Sequence, residues 1–147
     1  MFEKYTELTK RTLFLARYEA SRRGSPVIGT EHVLLGLLKA GDPMTIELFA
    51  RAGVAMGDLQ AEIERRNPLV MQEAGNVPIP FSEDTKTVLL FAEEEAESMK
   101  HPSIDSGHQL AGLLRLEEAG AGGLLIERGM RLAAVRTDMI DLVKRAV

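Results

Sequence analysis

The chain has 147 residues, 45% apolar and 27% charged, with a net charge of −4 and no cysteine. This is a globular composition, and no apolar run approaches the roughly 18 residues of a membrane span. The lack of cysteine excludes disulfides, thiol catalysis and cysteine metal sites.

Thr6 is expected to cap a helix running to about Arg23. Leu13, Ala16 and Ala20 follow the 3-4 spacing of a packed stripe, and Leu8, Thr12, Leu15 and Glu19 mark another side. Gly24-Ser25-Pro26 ends it. A short helix follows from Glu31 to about Lys39, with Thr30 as its N-cap and Glu31 well placed in the first turn. After the turn Gly41-Asp42-Pro43, a third helix covers about Met44–Ala52 and stops at Gly53, which suits a left-handed C-terminal position. A fourth runs from about Met56 to Arg66, with Leu59 and Ile63 inward. From Asn67 to Pro80 the prolines Pro68, Pro78 and Pro80, with Gly75-Asn76, keep the chain out of helix. Helices then resume over Ser82–Lys100, Ser106–Leu116, about Ala121–Arg128 and Leu132–Arg145. Ser106 and Gln109 have the capping-box spacing. No alternating β pattern competes, so an all-α fold of two four-helix units is expected: repeat one over 2–66, a linker over 67–80 and repeat two over 81–147.

The two units are copies. Displacing the sequence by 76 positions aligns residues 5–65 with 81–141 without a gap and gives 16 identities in 61 positions. Among them are Lys10/Lys86, Leu13/Leu89, Glu19/Glu95, Ile28/Ile104, His32/His108, Gly36/Gly112 and Gly53/Gly129. Self-similarity at a fixed period decides architecture before any local signal does. The copies differ in charge: residues 1–66 carry ten Lys/Arg against nine Asp/Glu, and residues 67–147 eight against thirteen. The balance argues against nucleic acid as a partner, and the two repeats should present different faces. The opening Met1-Phe2-Glu3-Lys4-Tyr5-Thr6 has no basic and apolar leader, so a cytoplasmic location is expected, with no membrane partner.

The segment Gly29-Thr30-Glu31-His32-Val33-Leu34-Leu35-Gly36-Leu37-Leu38 resembles the signature of the Clp N-terminal domain, the double four-helix repeat at the front of bacterial Hsp100 unfoldases of the ClpA and ClpC type. The opening hexapeptide, Ile79-Pro80-Phe81-Ser82 and Gly112-Leu113-Leu114 look like the ClpC branch. The resemblance implies a pseudo-twofold module without catalytic activity. Such a module captures unfolded or tagged protein substrates and docks adaptor proteins, working with a Clp ATPase ring and protease in cis or in trans. A free-standing Clp-repeat protein acting as adaptor or regulator of degradation is the alternative. In the ClpC branch the resemblance also implies receptors for phosphorylated arginine, each combining a helix-start hydroxyl with the Glu of Gly-Thr-Glu-His. Carried over, the first pocket is Thr6 with Glu31. The second is degenerate, because Ser82 is present but Gly107 replaces the carboxylate, and Asp105 substitutes only if its side chain points across. A groove for peptides and adaptors is carried over onto Phe2, Lys10, Phe81 and Lys86. The alternative for the two rings is that each staples a helix start onto the core.

Other features read as scaffold. His32 and His108 are expected to hydrogen-bond a neighbouring backbone carbonyl, and His101 sits in a turn without assigned meaning. Glu93-Glu94-Glu95 with Glu97 is expected to form a solvated acidic face, since consecutive residues diverge around a helix. Gly120-Ala121-Gly122-Gly123 has no Lys-Ser/Thr after it, so it is a loosened helix start and not a phosphate loop. No nucleophile with a base and no ligand cluster is visible. Catalytic residues, metals and cofactors are therefore not expected.

Overall fold

The computed structural model describes residues 2–70 and 78–145. The expected Gly75-Asn76 break of the linker lies outside them, as does the end of repeat two. Among the described residues eight helices follow in order: α1 (Glu7–Arg22), α2 (Thr30–Ala40), α3 (Pro43–Ala52), α4 (Met56–Arg66), α5 (Glu83–Ser98), α6 (Ser106–Arg115), α7 (Gly120–Glu127) and α8 (Leu132–Arg145). Displaced by 76 residues, α1 coincides with α5 at both ends, and α2, α3 and α4 each start within a residue of α6, α7 and α8. The fold is all-α.

Helices α2 and α6 form the centre. Val33, Leu34, Leu35, Leu37, Leu110, Ala111 and Leu113 are fully buried, as suits helices that are apolar nearly all round. Helix α1 lies along α2, and α5 along α6. The glycine of the duplicated Gly-Leu-Leu allows this approach: a Cβ on Gly36 would fall 2.3 Å from the Thr12 carbonyl oxygen, and one on Gly112 2.6 Å from that of Val88.

The copies are interlocked. Tyr5 forms a parallel bridge with Ile104, and Ile28 forms the equivalent bridge with Phe81. The Thr6 N–H donates to Ile104 O (3.1 Å) and the Ile104 N–H to Lys4 O (2.8 Å); the Ser82 N–H donates to Ile28 O (3.0 Å) and the Ile28 N–H to Pro80 O (2.8 Å). Each repeat's entry segment therefore pairs with the α2-type loop of the other repeat.

Two helix starts differ from expectation. Gly29, not Thr30, caps α2, and Asp105, not Ser106, caps α6. The partner three residues on is His32 or His108, whose Nδ1 accepts the cap N–H at 2.9 and 3.0 Å. Ser106 and Gln109 are instead fully buried. The expected cap at Thr6 is present, accepting from the N–H of Thr9 (3.2 Å); Ser82, expected as the first residue of its helix, caps α5 in the same way, accepting from the N–H of Thr85 (3.1 Å).

The acidic run is only partly a solvated face. Glu95 is 3% exposed and accepts from Arg136 Nε and Nη2, both at 2.8 Å, while Arg115 reaches both Glu94 (2.9 Å) and Glu95 (3.3 Å). Its twin Glu19, 1% exposed, holds Arg23 and Lys39 at 2.9 Å. Glu93, Glu94 and Glu97 remain exposed. Among the described residues, no helix is long and apolar enough to cross a membrane.

Candidate functional site

Phe2 and Phe81 come together between two cavities, one lined by Lys10 and the other by Lys86. Lys10, Leu13, Phe14 and Arg17 stand at i, i+3, i+4 and i+7 on α1, and with Phe2, Ile28, Ile79 and Phe81 they line a cavity of about 390 Å³. The equivalent stripe of α5, Lys86, Leu89, Leu90 and Glu93, lines a second cavity of about 310 Å³ with Phe2, Tyr5 and Phe81. Phe2 and Phe81 belong to both, so they stand between them, with ring centroids 6.5 Å apart and edge to face. Both rings are half-buried and pack on the core as well. Groove wall and helix staple are thus two sides of the same rings.

The outer wall is apolar and open to solvent: Phe14 is 68% exposed and Leu90 54%. The lysines are each tied to the Glu one turn earlier, Lys10 to Glu7 (3.3 Å) and Lys86 to Glu83 (3.1 Å). Burial, and then the Glu93 carboxylate, push the Tyr5 phenol up to about 12. Tyr5 therefore faces the second cavity as a neutral hydroxyl. The sequence reading missed Tyr5, Phe14, Arg17, Leu90 and Glu93. The available signal was a large apolar residue at the same solvent-side position in both copies.

The residues carried over for the first pocket are placed otherwise than expected. Glu31 lines a cavity of about 230 Å³ with Gly29, Thr30, His32, Ser82, Asp84 and Gly120. Its helix-start hydroxyl is Ser82 and not Thr6. The crossed bridges account for this placement: they carry the start of α5 to the start of α2, and the start of α1 to Ile104. Glu31 is also engaged already. Its Oε2 accepts from Asn67 Nδ2 at 2.8 Å, and its Oε1 lies 3.0 Å from where a Cβ on Gly120 would stand, at the positive end of α7.

At the equivalent place in repeat two, the absent carboxylate is only part of the difference. A Cβ on Gly107 would fall 2.5 Å from Met139 Cε, so the fully buried Met139 side chain occupies the space. Asp105 does not point across; its Oδ1 accepts from the Gly107 N–H of its own helix at 3.0 Å.

The histidines bond a backbone N–H and not a carbonyl. Nδ1 is the acceptor in both, which places the proton of the neutral ring on Nε2. His101 has a partner after all: its Nδ1 is 3.0 Å from His108 Nε2. Burial is the main cause that lowers the affinity of His32 and His108 for a second proton. Among the described residues no group of three metal-ligating side chains occurs.

A family model, the Clp repeat (R) N-terminal domain, matches residues 4–128. The chain belongs to the Clp repeat N-terminal domain family. It is 35% identical over 145 residues to the chaperone protein ClpC, chloroplastic, of Pisum sativum, covering 97% of this chain and 15% of that protein. It is equally similar to the ATP-dependent Clp protease ATP-binding subunit ClpA homolog of Guillardia theta, with 97% and 17% covered. The chain thus spans about a sixth of the length of these relatives. In fold it resembles the N-terminal domain of the chaperone ClpD from Arabidopsis thaliana (TM-score 0.73, 24% identity, 98% of this chain and 97% of that one). The N-domain of ClpV from Vibrio cholerae is similar too (TM-score 0.77, 18% identity, 95% and 86% covered).

Proposed function

We propose that this chain is the substrate- and adaptor-binding module of a ClpC- or ClpA-like AAA+ unfoldase, located in the cytoplasm and without catalysis of its own. The observation that carries the reading is the trough in which two equivalent helix stripes converge on Phe2 and Phe81. Half-exposed aromatic and aliphatic side chains rimmed by charge suit an extended apolar segment of another protein. Chemistry would reside on the ATPase ring and protease it serves.

The test uses a reduced, alkylated and permanently unfolded protein as fluorescent probe. Saturable binding is expected, weakened about tenfold or more in Phe2→Ala with Phe81→Ala while helicity is retained. Unchanged affinity in the double variant would sink the groove. A large loss of helicity would show instead that the rings serve the core alone.

For phosphoarginine, the proposed receptor is the Glu31–Ser82 cavity. Glu31 suits the guanidinium and Ser82 the phosphate, whereas Asp84 on the same wall repels a phosphate. Calorimetry with free phosphoarginine should give at most one site, lost in Glu31→Ala, weakened in Ser82→Ala, strengthened in Asp84→Asn and indifferent to Thr6→Ala. Two sites, or loss in Thr6→Ala, would contradict this assignment.

A further inference from the structure

The groove is nearly symmetric, and its asymmetry is one of charge. Position by position, the two stripes read Lys10/Lys86, Leu13/Leu89, Phe14/Leu90 and Arg17/Glu93. The first three pairs keep their chemistry; the fourth inverts it. The two lysines are offset alike by Glu7 and Glu83, so they favour neither end. Arg17 and Glu93 are both exposed, and neither makes an ion pair within the chain among the described residues. Arg17 lines only the first cavity and Glu93 only the second, with Phe2 and Phe81 between them. Each charge stands seven residues beyond its lysine, roughly 10 Å along the helix.

A pseudo-twofold groove of uniform chemistry would accept a segment equally well in either direction. Resting on the groove reading above, we infer that Arg17 and Glu93 give the groove a polarity. It takes an extended segment with an apolar centre, an acidic side chain at the Arg17 end and a basic one at the Glu93 end. The recognised partner is therefore a zwitterionic amphipathic stretch rather than a uniformly charged one. Direction is set by opposite charges across the aromatic pair, and the Tyr5 hydroxyl, for which the first cavity has the Phe81 ring, adds a polar contact on the basic side.

The test compares three labelled peptides with one Leu/Phe centre and flanks that are acidic–basic, acidic–acidic or basic–basic, titrated by anisotropy against the full chain at low salt. The mixed peptide should bind best, by about threefold for each charge matched, and the preference should fade at high salt. Glu93→Arg should transfer the preference to the doubly acidic peptide, and Arg17→Glu to the doubly basic one. Both positions are on the surface, and retained helicity verifies folding. A spin label on the acidic end of the mixed peptide should broaden amide signals of α1 near Arg17 and spare those of α5 near Glu93. Equal affinity for all three peptides, or broadening of both helices alike, would overturn the polarity and leave the groove standing. Binding of none of them, with the unfolded protein also unbound, would overturn both.

Discussion

Glu19 and Glu95 occupy equivalent places and are both enclosed, yet their company differs. The Arg23 side chain beside Glu19 is 3% exposed, whereas Arg136 beside Glu95 is 45% exposed. Burial works against the Glu19 charge, but hydrogen bonds from Lys39 and Arg23 outweigh it and hold the carboxyl below its usual range. For Glu95 the Arg136 hydrogen bonds are the leading cause of the same lowering. Removing half of a buried pair strands the other charge. Glu19→Ala should therefore cost about 3 kcal/mol, at the low end of such losses because Glu64 still reaches Arg23 at 3.2 Å. Glu95→Ala should cost less, because Arg136 regains water; urea unfolding of the two variants decides. The histidines give a pH dependence of definite sign. Burial depresses protonation of His32 and His108 in the folded state, while unfolded histidine takes up its proton near pH 6.5. Below that value the unfolded chain binds more protons, so stability falls as the pH drops. Melting temperature should decline between about pH 7 and 5.5, and the decline should flatten in His32→Asn with His108→Asn. A flat profile in the wild type would contradict the burial of neutral rings.

At the scale of elements, most of the fold was legible. Apolar spacing, the cap at Thr6, the turn at Gly41 and the stop at Gly53 (both glycines left-handed, φ 72° and 70°) are local signals read over one or two turns. The misplaced caps of α2 and α6 have a physical cause. Thr30 and Ser106 have good capping side chains, but tertiary packing claims both. The Thr30 hydroxyl accepts from the Ala121 N–H of α7 at 3.3 Å, and Ser106 is fully buried. A histidine three residues on then closes each helix start, a role more often filled by Glu or Gln. Gly36 and Gly112, each followed by Leu-Leu, mark where helices meet backbone to backbone. Gly112→Ala should destabilise by about 2 kcal/mol or more, because the methyl meets the Val88 carbonyl and not a side chain that can turn aside. Gly57→Ala, which meets nothing within 4 Å, is the control and should be neutral or slightly stabilising. Equal effects in thermal unfolding would contradict the close approach.

Across the whole molecule, the pseudo-twofold crossing decides which residues share a cavity, and it is what a repeat alignment cannot supply. The 76-residue offset shows which positions are equivalent. It does not show whether an entry segment pairs with its own copy or with the other, because that is settled by long-range bridges between Tyr5 and Ile104 and between Ile28 and Phe81. Hence Glu31 was expected beside Thr6 and stands beside Ser82. Gly107 could be recognised as a lost carboxylate, but not as a space filled by Met139 from α8. The two rings and two lysines that the family resemblance supplied do line the paired cavities of the proposed groove. Its charged ends were not legible, since Arg17 and Glu93 gain meaning only when α1 and α5 face one trough. The central claim is that this trough receives protein segments. Amide chemical-shift mapping with an unlabelled, permanently unfolded protein tests it most directly. Perturbations should cluster at Phe2, Tyr5, Lys10–Arg17, Phe81 and Lys86–Glu93; perturbations confined to α3 and α8, or none at saturating probe, would contradict it.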